Sequence, residues 1–130
     1  MIRQLCSLGL LRPCLLAVLL VCCLPALAPA QGLAFRNDCG APIVVQAVCI
    51  LPGGVRRDRP YLLKPGEHTP RLLLPGDKII TVYDARLPNR VLFQGALPAG
   101  GVELRFAVLP HVLPGRVRME LVPPPRPRRR

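Results

Sequence analysis

The sequence predicts an all-β fold: a small single-domain β-sandwich, or alternatively a small open barrel, of seven to eight short and mostly antiparallel strands. Three observations carry this. Pro-Gly pairs recur at Pro52-Gly53, Pro65-Gly66, Pro75-Gly76 and Pro114-Gly115, with Pro98-Ala99-Gly100 as a relaxed copy. Pro pre-sets φ at the first central turn position and Gly supplies positive φ at the second, so each pair marks a type II turn. Their spacing is irregular, which argues against a solenoid repeat. Second, Val102, Leu104, Phe106 and Val108 alternate with Glu103, Arg105 and Ala107, and Val117, Met119 and Leu121 alternate with Arg116, Arg118 and Glu120. A period of two buries one face and wets the other. Third, no window after residue 30 carries a helical period.

The first 30 of the 130 residues have the three parts of a helical export signal. Arg3 and Arg12 make the basic start, Leu15 to Leu27 the apolar run, and Ala28-Pro29-Ala30 the small-x-small cleavage site before Gln31. A cut after Ala28 would leave Pro29 just beyond it, so Gln31 is the expected mature start. A lipoprotein signal fits poorly, since Cys22 follows Val21. A retained anchor needs about 20 apolar residues, and Arg12, Pro13 and Pro25 shorten the run. The expected organisation is a signal peptide at 1–30, a sandwich domain at 31–122 and a disordered Pro/Arg-rich tail at 123–130. The expected location is periplasmic, envelope-associated or secreted.

Of 18 basic residues, Arg3 and Arg12 leave with the signal, and the remaining 16 face 7 acidic ones, a net charge of +9. Four of those charges, Arg126, Arg128, Arg129 and Arg130, sit in the tail. Four of the six cysteines leave as well, so only Cys39 and Cys49 remain. Export favours a disulfide, but 42–50 reads as one unbroken strand. Seven steps put Pro42 about 23 Å from Cys49, and a disulfide needs Cα atoms within ~7 Å. The two cysteines are therefore not expected to pair with each other.

In chain order, Leu33 to Arg36 is a short first strand and Asn37-Asp38-Cys39-Gly40 a turn. Pro42 to Ile50 is apolar on both parities except Gln46, as in a strand covered on both faces. Its β-branched residues oppose a helix. Val55 to Lys64 is a poorly patterned strand pair or edge, which Pro60 restricts to an edge or a bend. Arg71 to Gly95 then reads as a core hairpin: a lead-in strand to Leu74, a Pro-Gly turn, the strand Lys78 to Asp84, a turn at Leu87-Pro88-Asn89 and a return strand from Arg90 to Gln94. The last two strands carry charges of both signs on their wet faces, suited to cross-strand pairs if they are neighbours.

The stretches Tyr61 to Gly66 (YLLKPG) and Leu74 to Asp84 (LPGDKIITVYD) are similar to small exported proteins of unknown function from planctomycete-type bacteria. The resemblance spans 33–122. It implies a bacterial source and export, and it carries over no catalytic or binding residues.

Catalytic constellations are missing from the residues themselves. No serine follows Ser7, so a serine nucleophile is excluded from the mature chain. Cys49 reads as a small core hydrophobe, whereas Cys39, in a turn, is expected to be the more exposed thiol. His68 and His111 lie in Pro-rich loops without partners at metal-ligand spacing, apart from Glu67. Asp77 and Asp84 are expected to satisfy turns rather than act in acid–base chemistry. Nucleic acid suits the charge, but five Phe and Tyr with no Trp offer no stacking platform. The expectation is a non-enzymatic module of the cell envelope, structural or interacting, with no cofactor and no metal. The alternative is a binder of an anionic polymer or surface, or of another envelope protein, through Arg56, Arg57, Arg59, Arg86 and Arg90 together with the tail arginines.

Overall fold

The computed structural model describes residues 30–123, and every regular element among them is a strand. In chain order these are β1 (Ala30–Asn37), β2 (Ile43–Leu51), β3 (Gly54–Arg57), β4 (Tyr61–Leu63), β5 (Leu72–Pro75), β6 (Asp77–Asp84), β7 (Val91–Leu97), β8 (Leu104–Pro110) and β9 (Val117–Leu121). One sheet has the order β5-β1-β8-β9 and the other β3-β2-β6-β7. Both sheets stay open, so the fold is the sandwich and not the barrel. There are nine strands rather than seven or eight, because Pro60 splits the edge stretch. β3 pairs with the end of β2 at Val48 to Leu51, and β4 with its beginning at Ile43 to Val45.

Pairing is antiparallel except between β1 and β8, which run parallel from Leu33↔Leu104 to Asn37↔Val108. The longest ladder joins β2 to β6, from Ile43↔Asp84 to Ile50↔Asp77. β7 returns along β6 with a register shift between Val82 and Tyr83. The predicted hairpin is therefore present, but its lead-in strand is not part of it. β5 pairs with β1 in the opposite sheet, so Pro75-Gly76 is a corner between sheets.

The turn chemistry explains these corners. Gly53, Gly66, Gly76 and Gly115 all adopt positive φ, between 69° and 87°, whereas the relaxed copy at Gly100 does not. Gly76 is the most constrained of the four. A Cβ there would lie 2.7 Å from the carbonyl oxygen of Ile50, where β6 leaves the corner against the end of β2.

The core lies between the sheets and follows strand parity. Ile43, Val45, Ala47 and Cys49 from β2, with Ile80 and Val82 from β6, meet Leu33, Phe35, Leu74 and Val108 from the other sheet. Phe35 and Phe106 stack with ring centroids 5.8 Å apart. One end of the sandwich is closed by Asn37, which has no exposed surface. Its Nδ2 donates to the carbonyls of Ala41 and Leu63, and its Oδ1 accepts from the Cys39 amide. Its backbone N–H donates to Glu67 and its carbonyl accepts from Gly66. One residue, through side chain and backbone, thus ties β1, β4 and two turns together.

Two expectations about the last strands are corrected. β8 starts at Leu104, so Val102 lies outside it and is 71% exposed; Leu121, on the edge strand β9, is also exposed. β8 and β9 are neighbours, but their register sets Glu120 opposite Ala107 and Arg118 opposite Leu109. The charges therefore pair along each strand, Arg105 with Glu103 and Arg118 with Glu120, and not across the ladder.

The corner at Gly76 yields a stability prediction. Gly53 also has positive φ but open space around its missing Cβ. Gly53→Ala is expected to lose only the left-handed conformational cost of about 1–2 kcal/mol, and Gly76→Ala to lose at least about 1 kcal/mol more from the clash. Urea denaturation of the two variants measures the difference, and equal losses would remove the tight corner from the account.

Candidate functional site

The arginines expected to form one basic surface are split between distant parts of the molecule. Arg56 and Arg57 lie on β3, all of whose residues are exposed, opposite Cys49 and Val48. Arg59 stacks on Tyr61, with its Cζ 4.7 Å from the ring centroid. Arg86 and Arg90 belong to the β6–β7 turn, past the Ile43↔Asp84 end of the same ladder. Five steps along β2 separate the two groups by about 17 Å. Arg126, Arg128, Arg129 and Arg130 lie outside the described residues, as do residues 1–29 of the signal.

The structure builds two basic clefts that spacing alone does not announce. The first, of about 420 Å³, lies on the outer face of the β5-β1-β8-β9 sheet. Arg36, Arg71, Arg105 and His68 surround it, and each of its guanidinium groups already has a carboxylate partner, Arg71 and Arg105 sharing one. Arg36 makes two bonds to Asp38, of 2.8 and 2.7 Å. Arg71 lies 3.2 Å and Arg105 3.7 Å from the carboxylate of Glu103. Arg71 rests across Gly32, where any Cβ would displace it.

The second cleft, of about 510 Å³, opens where the edge strands β7 and β9 face each other across the sandwich. Phe93, Leu92 and Met119 give it an apolar wall, Gln94 an amide, and Arg116 and Arg118 a cationic rim beside His111. Arg90 reaches its end by packing against Gly115 in the β8–β9 turn. No carboxylate lines this cleft. Among the described residues, Arg90 and Arg116 have no carboxylate within 4.0 Å, and Arg118 meets Glu120 only at 3.9 Å. His111 accepts the Leu113 amide at Nδ1, which places the proton of the neutral ring on Nε2 as a free donor.

Guanidinium groups without carboxylate partners are fit to take a carboxylate, sulfate or phosphate in bidentate fashion. Of the arginines expected from the sequence, only Arg90 takes part. Arg116 and Arg118 were legible only as the wet parity of a strand, and their meeting with Arg90 depends on β7 and β9 facing each other.

The remaining candidates are structural in their surroundings. Asp84 Oδ1 accepts the Arg86 amide, capping its turn as expected. Asp77 accepts an amide too, but from the distant Ala99. Cys39 is buried, contrary to the expectation of an exposed thiol, because the turn folds under Val108, whose carbonyl takes the Sγ–H at 3.4 Å. Burial pushes its thiol pKa up, with Asp38 adding to the effect, so it is a weaker nucleophile than an ordinary cysteine. Cys49 is free and fully buried at the far end of β2. Among the described residues no three His, Cys, Asp or Glu side chains gather.

Lys78 was not anticipated as a core residue. It is 1% exposed and points between the sheets, opposite Cys49. Its Nζ donates to Gln31 Oε1 at 3.0 Å and to the Gly76 carbonyl at 2.7 Å. Gln31 in turn donates to the Val102 carbonyl. This chain links β6 to β1 across the core and onward to the loop before β8. Burial lowers the pKa of Lys78, with the Cys49 thiol and Asp77 opposing the shift.

No protein-family profile matches the chain, and no curated protein matches it.

The buried lysine gives a pH prediction. Its folded pKa is depressed, so between that value and the ordinary lysine value of about 10.4 the unfolded chain binds more protons and stability rises with pH. The stability of the wild type relative to Lys78→Met is expected to increase between about pH 7 and pH 10. Denaturant titrations at both pH values, under reducing conditions, check it. A constant difference contradicts a depressed Lys78.

Proposed function

We propose that this protein is an exported, non-enzymatic module of the cell envelope that engages an anionic polymer, with the β7–β9 cleft as its principal contact. One observation carries the reading: Arg116, Arg118 and His111 line a cleft that contains no carboxylate of its own, and Arg90 packs against Gly115 at its end. In a mature chain expected to carry +9, the guanidinium groups of the other cleft have carboxylate partners, so of the two clefts this one leaves more positive potential available. The apolar wall of Phe93 and Met119 suits the carbon faces of a sugar ring lying between charged groups. The cleft is open, as a polymer requires, and its lining offers no nucleophile paired with a base. The Arg56–Arg59 edge and the tail arginines serve as secondary, salt-screened contacts.

Retention on an immobilised uronic-acid polymer tests this. Arg90→Ala/Arg116→Ala is expected to bind roughly tenfold or more weakly, the loss of at least one charge-assisted contact. Arg71→Ala/Arg105→Ala, in the ion-paired cleft, is expected to change binding by less than about twofold. Equal retention of the wild type and the first variant would sink the cleft. An intact mass beginning at Met1, for protein recovered from the envelope, would sink cleavage of the signal.

A further inference from the structure

We propose that the outer face of the β3-β2-β6-β7 sheet binds a second copy of this chain, giving a reversible face-to-face dimer. Strand parity sends Val44, Gln46, Val48 and Ile50 of β2 outward, opposite Tyr83, Thr81, Ile79 and Asp77 of β6. β4 adds Leu62 beside Val44, and β3 adds Val55 beside Ile50. Leu62 is 60% exposed, Val55 69% and Ile50 45%, while Val44, Gln46, Val48, Ile79 and Tyr83 are half-buried and Thr81, in the central row, is buried. The opposite outer face of the sandwich carries Arg36, Arg71, Arg105, Arg118, Glu103 and Glu120. This one has only Arg57 and Asp77, both toward one end.

The face spans four strand widths by about eight residues, roughly 500 Å² in projection. Its central row, Gln46, Thr81 and Gln94, is polar, so this is the area of the whole face and not of an apolar patch. It matches the share per partner in a small reversible interface of under about 1,200 Å² in total.

The choice of a second copy rests on charge and symmetry. A partner held by charge needs opposite charges at the centre of the face, and the central row is Gln46, Thr81 and Gln94. Amides and hydroxyls offer donors and acceptors together and so can pair with their own kind. With a two-fold axis in the interface along β2 and β6, Gln46 meets Thr81 of the second copy and Val48 meets Ile79. Val44 meets Tyr83, and Asp77 meets Ile50. No charge is set against a like charge, as an isologous contact requires. Val91 and Gln94 border both this face and the basic β7–β9 cleft, so the dimer carries two clefts beside its interface.

The dimer rests on the sheet face alone and not on the anionic-polymer reading. A protein that dimerises but is not retained on the matrix keeps this inference and loses that one. Sedimentation equilibrium of the exported chain, from about 1 to 200 µM, is expected to show a monomer–dimer equilibrium in the micromolar range. Val48→Glu, which would bury an unpaired charge, is expected to raise the dissociation constant by about 100-fold or more. Leu62→Glu, already exposed in one copy and harmless to folding, is expected to weaken it by at least about tenfold. Arg105→Glu, on the other outer face, is expected to leave it unchanged. A wild type that stays monomeric throughout overturns the inference. So does dimerisation that survives both face substitutions in folded protein.

Discussion

A β-strand has two faces and a sandwich can cover only one of them with its second sheet. This constraint governs the protein because β2 and β6, joined by its longest ladder, are apolar on both parities. One parity, from Ile43 to Cys49 and from Lys78 to Val82, lies between the sheets. The other lies on the surface, with only Gln46, Thr81 and Asp77 interrupting Val44, Val48, Ile50, Ile79 and Tyr83. The same chain segregates its charge to the other sheet's outer face, to the turns and to the β7–β9 cleft. The molecule thus has a side poor in charge, an ion-paired side, and an open edge where arginines lack carboxylate partners.

Inside the core, polar groups do connecting work that apolar contacts cannot. The Asn37 carboxamide ties the end of β1 to its following turn and to β4, and the Lys78–Gln31–Val102 chain crosses from one sheet to the other. A buried polar group costs free energy unless its hydrogen bonds are made, and among the described residues every buried side-chain nitrogen and oxygen has a partner. Such groups add little net stability but penalise slipped registers, because a one-residue shift would strand each of them. For Lys78 the burden is larger, since a charge is involved, and its lowered pKa reflects that.

Much of the fold was legible in the residues. The Pro-Gly pairs marked all four positive-φ glycines, and period-two alternation located the last two strands. The free, separate cysteines followed from the uninterrupted length of β2. What escaped were facts about which strand lies beside which. Leu72–Pro75 looked like the lead-in to the hairpin, but a Pro-Gly corner can turn a chain within a sheet or between sheets, and sequence does not distinguish them. Lys78 looked like a surface residue at a strand start, yet its parity is that of Ile80 and Val82, which was the available clue. The two-sided apolar pattern of β2 was read as cover on both faces, whereas the single chain supplies only one cover. The basic cleft was out of reach for the same reason: Arg90 and Arg116 are brought together only because β7 and β9 are facing edges of different sheets.

The central claim is that the charge-poor sheet face is covered in the working protein. Hydroxyl-radical footprinting at concentrations where the dimer dominates tests it residue by residue. Leu62, Ile50 and Tyr83 are expected to be oxidised far less than their exposure in one copy implies, while Val102 and Val112, exposed elsewhere, are oxidised fully. Oxidation of Leu62 and Ile50 in proportion to that exposure would contradict the account.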